Sequence, residues 1–158
     1  MFFFNNNERI VEKSNALVGR ENEINEDLKN DIILSMKAGF NGARLHEKVF
    51  EGRFHYWADK LGYITWSEFP NWGMNENAKA SETYFLREWP RIVNYLKNHP
   101  SIITWTPFNE TNTLECNAQH KKLMRIAYDV TKKIDPTRPV NETSGYQHQK
   151  TDIWTVHH

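Results

Sequence analysis

The sequence has little cysteine and no long apolar run. Cys116 is the only cysteine among 158 residues, which excludes an intrachain disulfide framework and a zinc site built from several cysteines. No apolar run approaches the roughly 20 residues that span a membrane, and Phe2-Phe3-Phe4 is too short for the apolar part of a signal peptide. We therefore expect no membrane partner and a cytoplasmic location, unless a signal precedes this segment.

Net charge and a phosphate-binding loop are lacking as well. The chain has 20 Lys plus Arg and 20 Asp plus Glu, so its formal net charge is zero. Without a basic field, the protein is not expected to recruit nucleic acid or an acidic membrane surface. No glycine-rich loop follows the first predicted strand, so the sequence lacks the phosphate site of a nucleotide-binding Rossmann fold.

Helical and strand patterns alternate from residue 26 onward, whereas residues 1–25 are polar, weakly patterned and predicted to form loop. Alternation at this spacing predicts a parallel sheet covered by helices. Pro90 falls inside the third predicted helix, where the helix either kinks or gives way to a second one. The predicted helices lie at about 27–38, 50–61, 81–98 and 118–134, and the predicted strands at about 40–46, 63–69, 102–110, 140–143 and 152–156.

Polar side chains follow each predicted strand at its carboxyl end. Because the carboxyl ends of parallel strands lie on one face of a sheet, these residues are expected to converge. Each of these residues also has a structural explanation that involves no ligand. In these alternatives, Arg44 and Glu68 form a buried ion pair and Trp72 belongs to the core. Glu110 simply faces water, and His157 has no role. The whole set is Arg44, His46, Glu68, Asn71, Trp72, Asn109, Glu110, Asn141, Glu142, His157 and His158.

One string is long and specific: Asn98-His99-Pro100-Ser101-Ile102-Ile103-Thr104-Trp105, followed by Asn109-Glu110. Together with 39–46, 58–62, 66–72 and 135–139, it resembles the catalytic barrel of glycoside hydrolase family 2, the β-galactosidase, β-glucuronidase and β-mannosidase group. The resemblance covers roughly residues 27–158. It implies an α/β fold, a partial (β/α)8 TIM barrel of about strands 2–6 with covering helices. Residues 26–158 would then form an incomplete catalytic domain.

The resemblance also implies roles for the polar strand ends. Glu110 corresponds to the general acid/base of the family, and Asn109 corresponds to the residue that bonds the sugar 2-hydroxyl. Arg44 resembles an arginine that orients the active-site carboxylates. The substrate would be a carbohydrate, a β-glycoside cleaved with retention, and no cofactor is needed. The remaining expected substrate contacts are His46, Glu68, Trp72 and His157.

The family nucleophile is a second glutamate at the end of strand 7, and this chain stops around strand 6. Glu142 lies on what is predicted as strand 5 and cannot replace the nucleophile on spacing alone. We therefore expect a fragment that lacks the nucleophile and is inactive in isolation. Because an incomplete barrel exposes two sheet edges, the missing segments or a homo-oligomer would be needed for stability.

Two other functions compete with a glycosidase. The first is a non-catalytic sugar-binding or inert barrel fragment, which the missing second carboxylate favours. The second is a metal-dependent barrel hydrolase that uses His46, Glu68, His157 and His158. The sequence lacks the His-x-His and His-Glu-x-x-His signatures of such sites, which disfavours the metal hypothesis. The sugar that is cleaved does not follow from these residues.

Overall fold

The computed structural model describes residues 16–111 and 116–156, with side chains from residue 24 onward. Helices and strands alternate through this part of the chain, as the sequence pattern predicts. The helices are α1 (Ala16–Lys37), α2 (Gly52–Leu61), α3 (Lys79–Leu96) and α4 (Ala118–Ile134). The strands are β1 (Gly42–Leu45), β2 (Ile64–Glu68), β3 (Ile102–Thr106), β4 (Phe108–Asn109) and β5 (Thr143–Ser144).

All strand pairs in the described residues are parallel, and their spatial order follows the chain. β2 lies between β1 and β3, and β4 pairs with β5. A single parallel bridge between Trp105 and Val140 connects β3 to the segment that leads into β5. Among the described strands, none pairs β5 back to β1. The architecture is therefore a part of a parallel α/β barrel, which confirms the predicted fold class.

Local sequence explains where the helices begin and end. Gly62 ends α2 in the left-handed conformation, with φ at 70°, which glycine adopts without steric cost. Asn117 begins α4, because its side-chain oxygen accepts a hydrogen bond from the amide of His120. α3 continues through Pro90 as one helix, so no second helix begins there.

An aromatic core packs α3 and α4 against β2, β3 and β4. Trp89 and Phe85 of α3 contact Phe69 at the end of β2, and Trp89 also contacts Trp105 of β3. Phe85 lies against Phe108 of β4, with ring centroids 4.9 Å apart. All five rings are fully buried, and each contributes about 1.5–3 kcal/mol by leaving water. This core holds the strands that carry the candidate site.

A polar cluster anchors the start of β3. Arg138 donates from Nη1 to the carbonyl of Lys97 and from Nη2 to the carbonyl of His99, both at 2.8 Å. Its Nη1 also lies 2.6 Å from the Asp135 carboxylate, which accepts a second hydrogen bond from Trp105 Nε1 at 2.8 Å. The cluster therefore joins the segment after α4 to the turn between α3 and β3.

Two sequence predictions of secondary structure were wrong. α1 begins at Ala16 rather than near Asp27, since residues 16–26 contain good helix formers and no proline although they show no apolar stripe. Residues 152–156 do not form a strand. Their alternating pattern is misleading, because only one backbone bond, from the amide of Asp152 to the carbonyl of Val140 at 2.8 Å, joins the segment to its neighbour. The return bond goes to a side chain: the Asp152 carboxylate accepts from the amide of Val140, 3.0 Å away.

The inner face of the sheet is partly open. Ile64 of β2 is 39% exposed and Ile103 of β3 is 45% exposed, although isoleucine in a barrel strand is normally buried. Neighbouring strands would cover these side chains in a closed barrel.

In the described part of the chain, no helix is both long enough and apolar enough to cross a membrane.

Candidate active site

Arg44 joins four strand ends on one face of the sheet. It extends from β1, and its Nε forms an ion pair with the buried Glu68 carboxylate at the end of β2. Its Nη2 donates to Asn109 Oδ1 of β4 at 2.6 Å and to Ser144 Oγ of β5 at 2.8 Å. The predicted convergence of Arg44, Glu68 and Asn109 is therefore present, and Ser144 is an addition that the sequence did not indicate.

Asn109 presents an unused hydrogen-bond donor. Its Oδ1 accepts from Arg44 and from Ser144 Oγ, the latter at 2.7 Å, and these donors fix the orientation of the amide. Its backbone amide donates to Asn71 Oδ1 at 2.7 Å. Asn109 Nδ2 is buried and has no hydrogen-bond partner among the described residues. An unpaired buried donor costs about 1–3 kcal/mol, so this atom is a candidate ligand contact.

Glu110 follows Asn109 at the point where the strand ends. Its φ is 51°, in the left-handed region that residues other than glycine rarely adopt. Its backbone amide donates to the carbonyl of Ser144 at 2.8 Å, which holds the turn against β5. The residue is half-buried and lines a cavity of about 210 Å³. Backbone strain of this kind clusters at functional sites.

Glu47 is a further carboxyl on this face, and no sequence pattern indicated it. Its φ is 52°, its amide donates to Glu68 Oε2 at 3.0 Å, and its Oε2 accepts from the amide of Trp72 at 2.9 Å. Burial raises the pKa of Glu47 to about 7, although the hydrogen bond from the Trp72 amide lowers it. The negative charges of Glu68 and Glu76 raise this pKa further. Glu47 therefore joins the loop after β1 to the loop after β2.

His46 and Trp72 lie at the rim of the same face. The His46 ring meets the Trp72 ring edge-on, with centroids 5.3 Å apart, and His46 Nδ1 lies 3.5 Å from Glu68 Oε2. Trp72 is 63% exposed, so the core explanation for this tryptophan was wrong. His157 and His158 lie outside the described residues.

Glu142 does not face this site. It is fully buried and accepts hydrogen bonds from His148 Nδ1 at 2.9 Å and from the amides of Gln149 and Lys150.

Within the described ranges, no group of three or more His, Cys, Asp or Glu residues is placed to hold a metal ion. The described part of the chain therefore gives the metal-dependent hypothesis no support.

The comparisons agree with this geometry. The family described as glycosyl hydrolases family 2, TIM barrel domain, matches residues 12–157. The chain belongs to this family.

Relatives include the β-galactosidase of Psychromonas ingrahamii, 32% identical over 137 residues, which are 81% of this chain and 12% of that protein. The β-glucuronidase of Bacteroides fragilis is 30% identical over 151 residues, which are 85% of this chain and 19% of that protein.

Solved structures of related enzymes have the same fold. β-Glucuronidase 2 of Bacteroides uniformis, covalently bound to cyclophellitol-6-carboxylate aziridine, superposes with a TM-score of 0.64 at 26% identity. The match covers 73% of this chain and 15% of that one. The apo structure of β-glucuronidase 3 from the same species gives a TM-score of 0.63 at 25% identity, over 73% and 16% of the two chains. This chain thus spans less than a fifth of the length of these relatives.

Proposed function

We propose that this chain supplies the acid/base half of a retaining β-glycosidase site, with Glu110 as the general acid/base. The relatives named β-galactosidase and β-glucuronidase support a β-glycoside as the substrate class. Glu110 would donate its proton to the glycosidic oxygen as the bond to the leaving group breaks. It would then accept a proton from the water that releases the sugar.

The observation that carries this proposal is the unpaired Nδ2 of Asn109. A buried amide donor next to the candidate acid is suited to the 2-hydroxyl of the sugar, whose hydrogen bonds strengthen as positive charge develops at the anomeric carbon. Arg44 and Ser144 occupy Oδ1 and thereby keep Nδ2 directed away from them. Arg44 and Glu68 are positioning residues in this proposal, and Trp72 and His46 form the rim against which a sugar would rest.

The second carboxylate of the retaining pair would come from outside the described residues. A retaining site needs an ionised carboxylate about 5–5.5 Å from the acid. Glu68 is engaged by Arg44 and by the amide of Glu47, and Glu142 is enclosed by its own hydrogen bonds. Neither of these two is available to attack a sugar. Glu47 is held by the amide of Trp72, and burial raises its pKa to about 7, so it is a poor source of the ionised carboxylate. These observations support the proposal that the 158-residue chain binds the sugar without hydrolysing it.

A ligand-side experiment tests the role of Asn109. NMR titration of the isotopically labelled chain with methyl β-galactoside and methyl β-glucuronide shows which sugar binds and whether the Asn109 amide signals shift. We expect the 2-deoxy form of the sugar that binds to lose about 5- to 10-fold in affinity, equivalent to one hydrogen bond of about 1–1.5 kcal/mol.

Asn109→Ala should lose at least as much, because it removes this contact together with the acceptor of Arg44 and Ser144. The two losses should not add, because the 2-deoxy sugar lacks only the contact that the variant has already lost. Asn94→Ala, on the exposed face of α3, is the matched control and should bind like the wild type. Full additivity of the two losses, or equal affinity for the sugar and its 2-deoxy form, would refute the assignment.

A separate assay tests the missing nucleophile. The chain is incubated with nitrophenyl β-galactoside and nitrophenyl β-glucuronide, and nitrophenol release is compared with that of Glu110→Gln. We expect equal background rates, since the acid alone cannot form the glycosyl-enzyme intermediate. Turnover that Glu110→Gln abolishes would show that the chain does supply a nucleophile.

A further inference from the structure

The tight turn after β2 sets the position of Trp72. The amide of Met74 donates to the carbonyl of Asn71 at 2.9 Å, so residues 71–74 form one turn, in which Gly73 has φ at 88°. The Asn71 side chain ties one side of this turn to the backbone of β4. Trp72 is 63% exposed, so burial contributes little to holding its ring in place. The position of the ring therefore depends on the polar contacts of the turn.

Glu47 supplies the contact on the other side of the turn. Its Oε2 accepts a hydrogen bond from the amide of Trp72 at 2.9 Å, and its own amide donates to Glu68 Oε2 at 3.0 Å. The Glu68 side chain is fully buried and paired with Arg44, which fixes the acceptor of this second bond. Glu47 thus connects a fixed part of the sheet to the turn that carries Trp72.

The surroundings of the Glu47 carboxyl give little support to a negative charge. Its Oε1 is buried and has no hydrogen-bond partner among the described residues. The negative charges of Glu68, at the end of β2, and Glu76, in the loop after β2, both act on this carboxyl. Arg44 pairs with Glu68 instead, and His46 Nδ1 also lies nearest to Glu68, 3.5 Å from its Oε2. A protonated Glu47 therefore fits this position better than an ionised one.

Ionisation of Glu47 works against the arrangement in which it contacts the Trp72 amide, here called the closed arrangement. Burial has the largest effect and raises the carboxyl pKa to about 7, above its ordinary 4.5, although the Trp72 amide lowers it. If the turn moves away, water reaches the carboxyl and the pKa returns toward 4.5. Protonation thus favours the closed arrangement, and this advantage is lost as the pH rises through 7. Between pH 6 and 8.5, the ratio of closed to open molecules should fall about 10-fold.

We propose that Glu47 is a positioning residue for sugar binding, which holds Trp72 at the rim while its carboxyl is protonated and releases it when the proton leaves to water. The inference rests on the proposed function, in which a sugar rests against Trp72 and His46. It adds a regulation to that function: sugar binding weakens as the pH rises from mildly acidic to mildly alkaline values.

A pH titration of the labelled chain without ligand tests the contact itself. The backbone amide signal of Trp72 is followed by NMR from pH 5.5 to 8.5. We expect this signal to shift with a midpoint near pH 7 in the wild type and to stay nearly constant in Glu47→Gln, which keeps an acceptor oxygen but cannot ionise. A signal that does not titrate would overturn the inference. So would an equal titration in Glu47→Gln, which would assign the effect to His46, whose ring contacts Trp72.

The affinity for the methyl glycoside that binds, measured at pH 6 and pH 8.5, tests the effect on the sugar. The wild type should bind about 3- to 10-fold more weakly at pH 8.5, whereas the ratio of the two affinities should be about one in Glu47→Gln. Glu26→Gln is the matched control, because Glu26 is an exposed glutamate of α1 that pairs with Lys29, and it should keep the wild-type ratio. A wild-type ratio below two, or the same ratio in Glu47→Gln, would overturn the role of Glu47.

These outcomes separate the inference from the proposed function. If no glycoside shifts the Asn109 amide at either pH, the proposed function fails, and the role of Glu47 in sugar binding fails with it. If a glycoside shifts Asn109 but binds equally well at both pH values, only the role of Glu47 fails.

Discussion

Replacing Asp135 by asparagine should loosen the anchor that fixes the start of β3. The Asp135 side chain is 4% exposed and accepts hydrogen bonds from Trp105 Nε1, Thr137 and Arg138. Asparagine has nearly the same shape but carries no charge, so Asp135→Asn keeps the packing and removes the ion pair with Arg138. The measured effect therefore reports the electrostatic part of the anchor.

The size of the effect follows from the carboxyl pKa. Burial by itself would raise it, but the hydrogen bonds from Thr137, Trp105 and Arg138 outweigh burial and hold the pKa of Asp135 at about 2, against an ordinary value of 3.8. Each pKa unit corresponds to about 1.4 kcal/mol, so the charged form contributes about 2 kcal/mol to the free energy of unfolding at pH 7. We expect Asp135→Asn to lose about this amount.

The pH dependence gives a second, independent measure. Because the pKa is lower in the folded state, the contribution is complete above the unfolded pKa near 4 and disappears as the pH falls through 2. The difference in unfolding free energy between wild type and Asp135→Asn should shrink to about half by pH 3. Urea titrations of both proteins at pH 7, 5, 4 and 3, followed by tryptophan fluorescence, measure this difference directly.

Asp129→Asn is the matched control, since the Asp129 side chain is exposed in its pair with Lys150. Exposed pairs contribute little, so the control should change the free energy of unfolding by less than about 1 kcal/mol at every pH. If Asp135→Asn loses less than about 0.5 kcal/mol, or if its loss does not depend on pH, the anchor does not work through the charge of Asp135.

Two further predictions concern stability. Trp89→Ala removes a fully buried ring that also donates to Thr131 Oγ1 at 2.7 Å, so urea titration should show a loss of about 3–5 kcal/mol; a loss below 1 kcal/mol would mean that this core is not formed. His148→Ala leaves the buried Glu142 carboxylate without its side-chain partner and should cost about 3–5 kcal/mol, whereas a change within the error of the titration would show that the backbone amides of Thr143, Gln149 and Lys150 suffice.

The fold could be predicted because each element leaves a local signal in the sequence. The apolar face of α2 and its terminal glycine, Gly62, are visible within ten residues or so, and the structure has both. The errors occurred where the local signal and the structure disagree. α1 extends back to Ala16 without an apolar stripe, and the segment from Asp152 alternates like a strand although side-chain hydrogen bonds hold it in place.

The candidate site was predictable only where residues end a strand. Arg44, Glu68 and Asn109 were found this way, and the ion pair of Arg44 with Glu68 was one of two explanations that the sequence allowed. Ser144 was missed because its bond to Asn109 joins residues 35 positions apart, and no local pattern records such a contact.

Glu47 and Glu110 have left-handed backbone conformations, which reduce the stability of the fold, and both residues carry carboxyl groups of the candidate site. Glycine at either position would relieve on the order of 1 kcal/mol of backbone strain and would delete a carboxyl group from the site. In a mutational scan scored only on abundance, glycine would therefore be tolerated at both positions, and β-branched residues would be the worst tolerated. A scan scored on sugar binding or cleavage would rank the same substitutions differently. The positions where the two rankings diverge most would mark the residues kept for function.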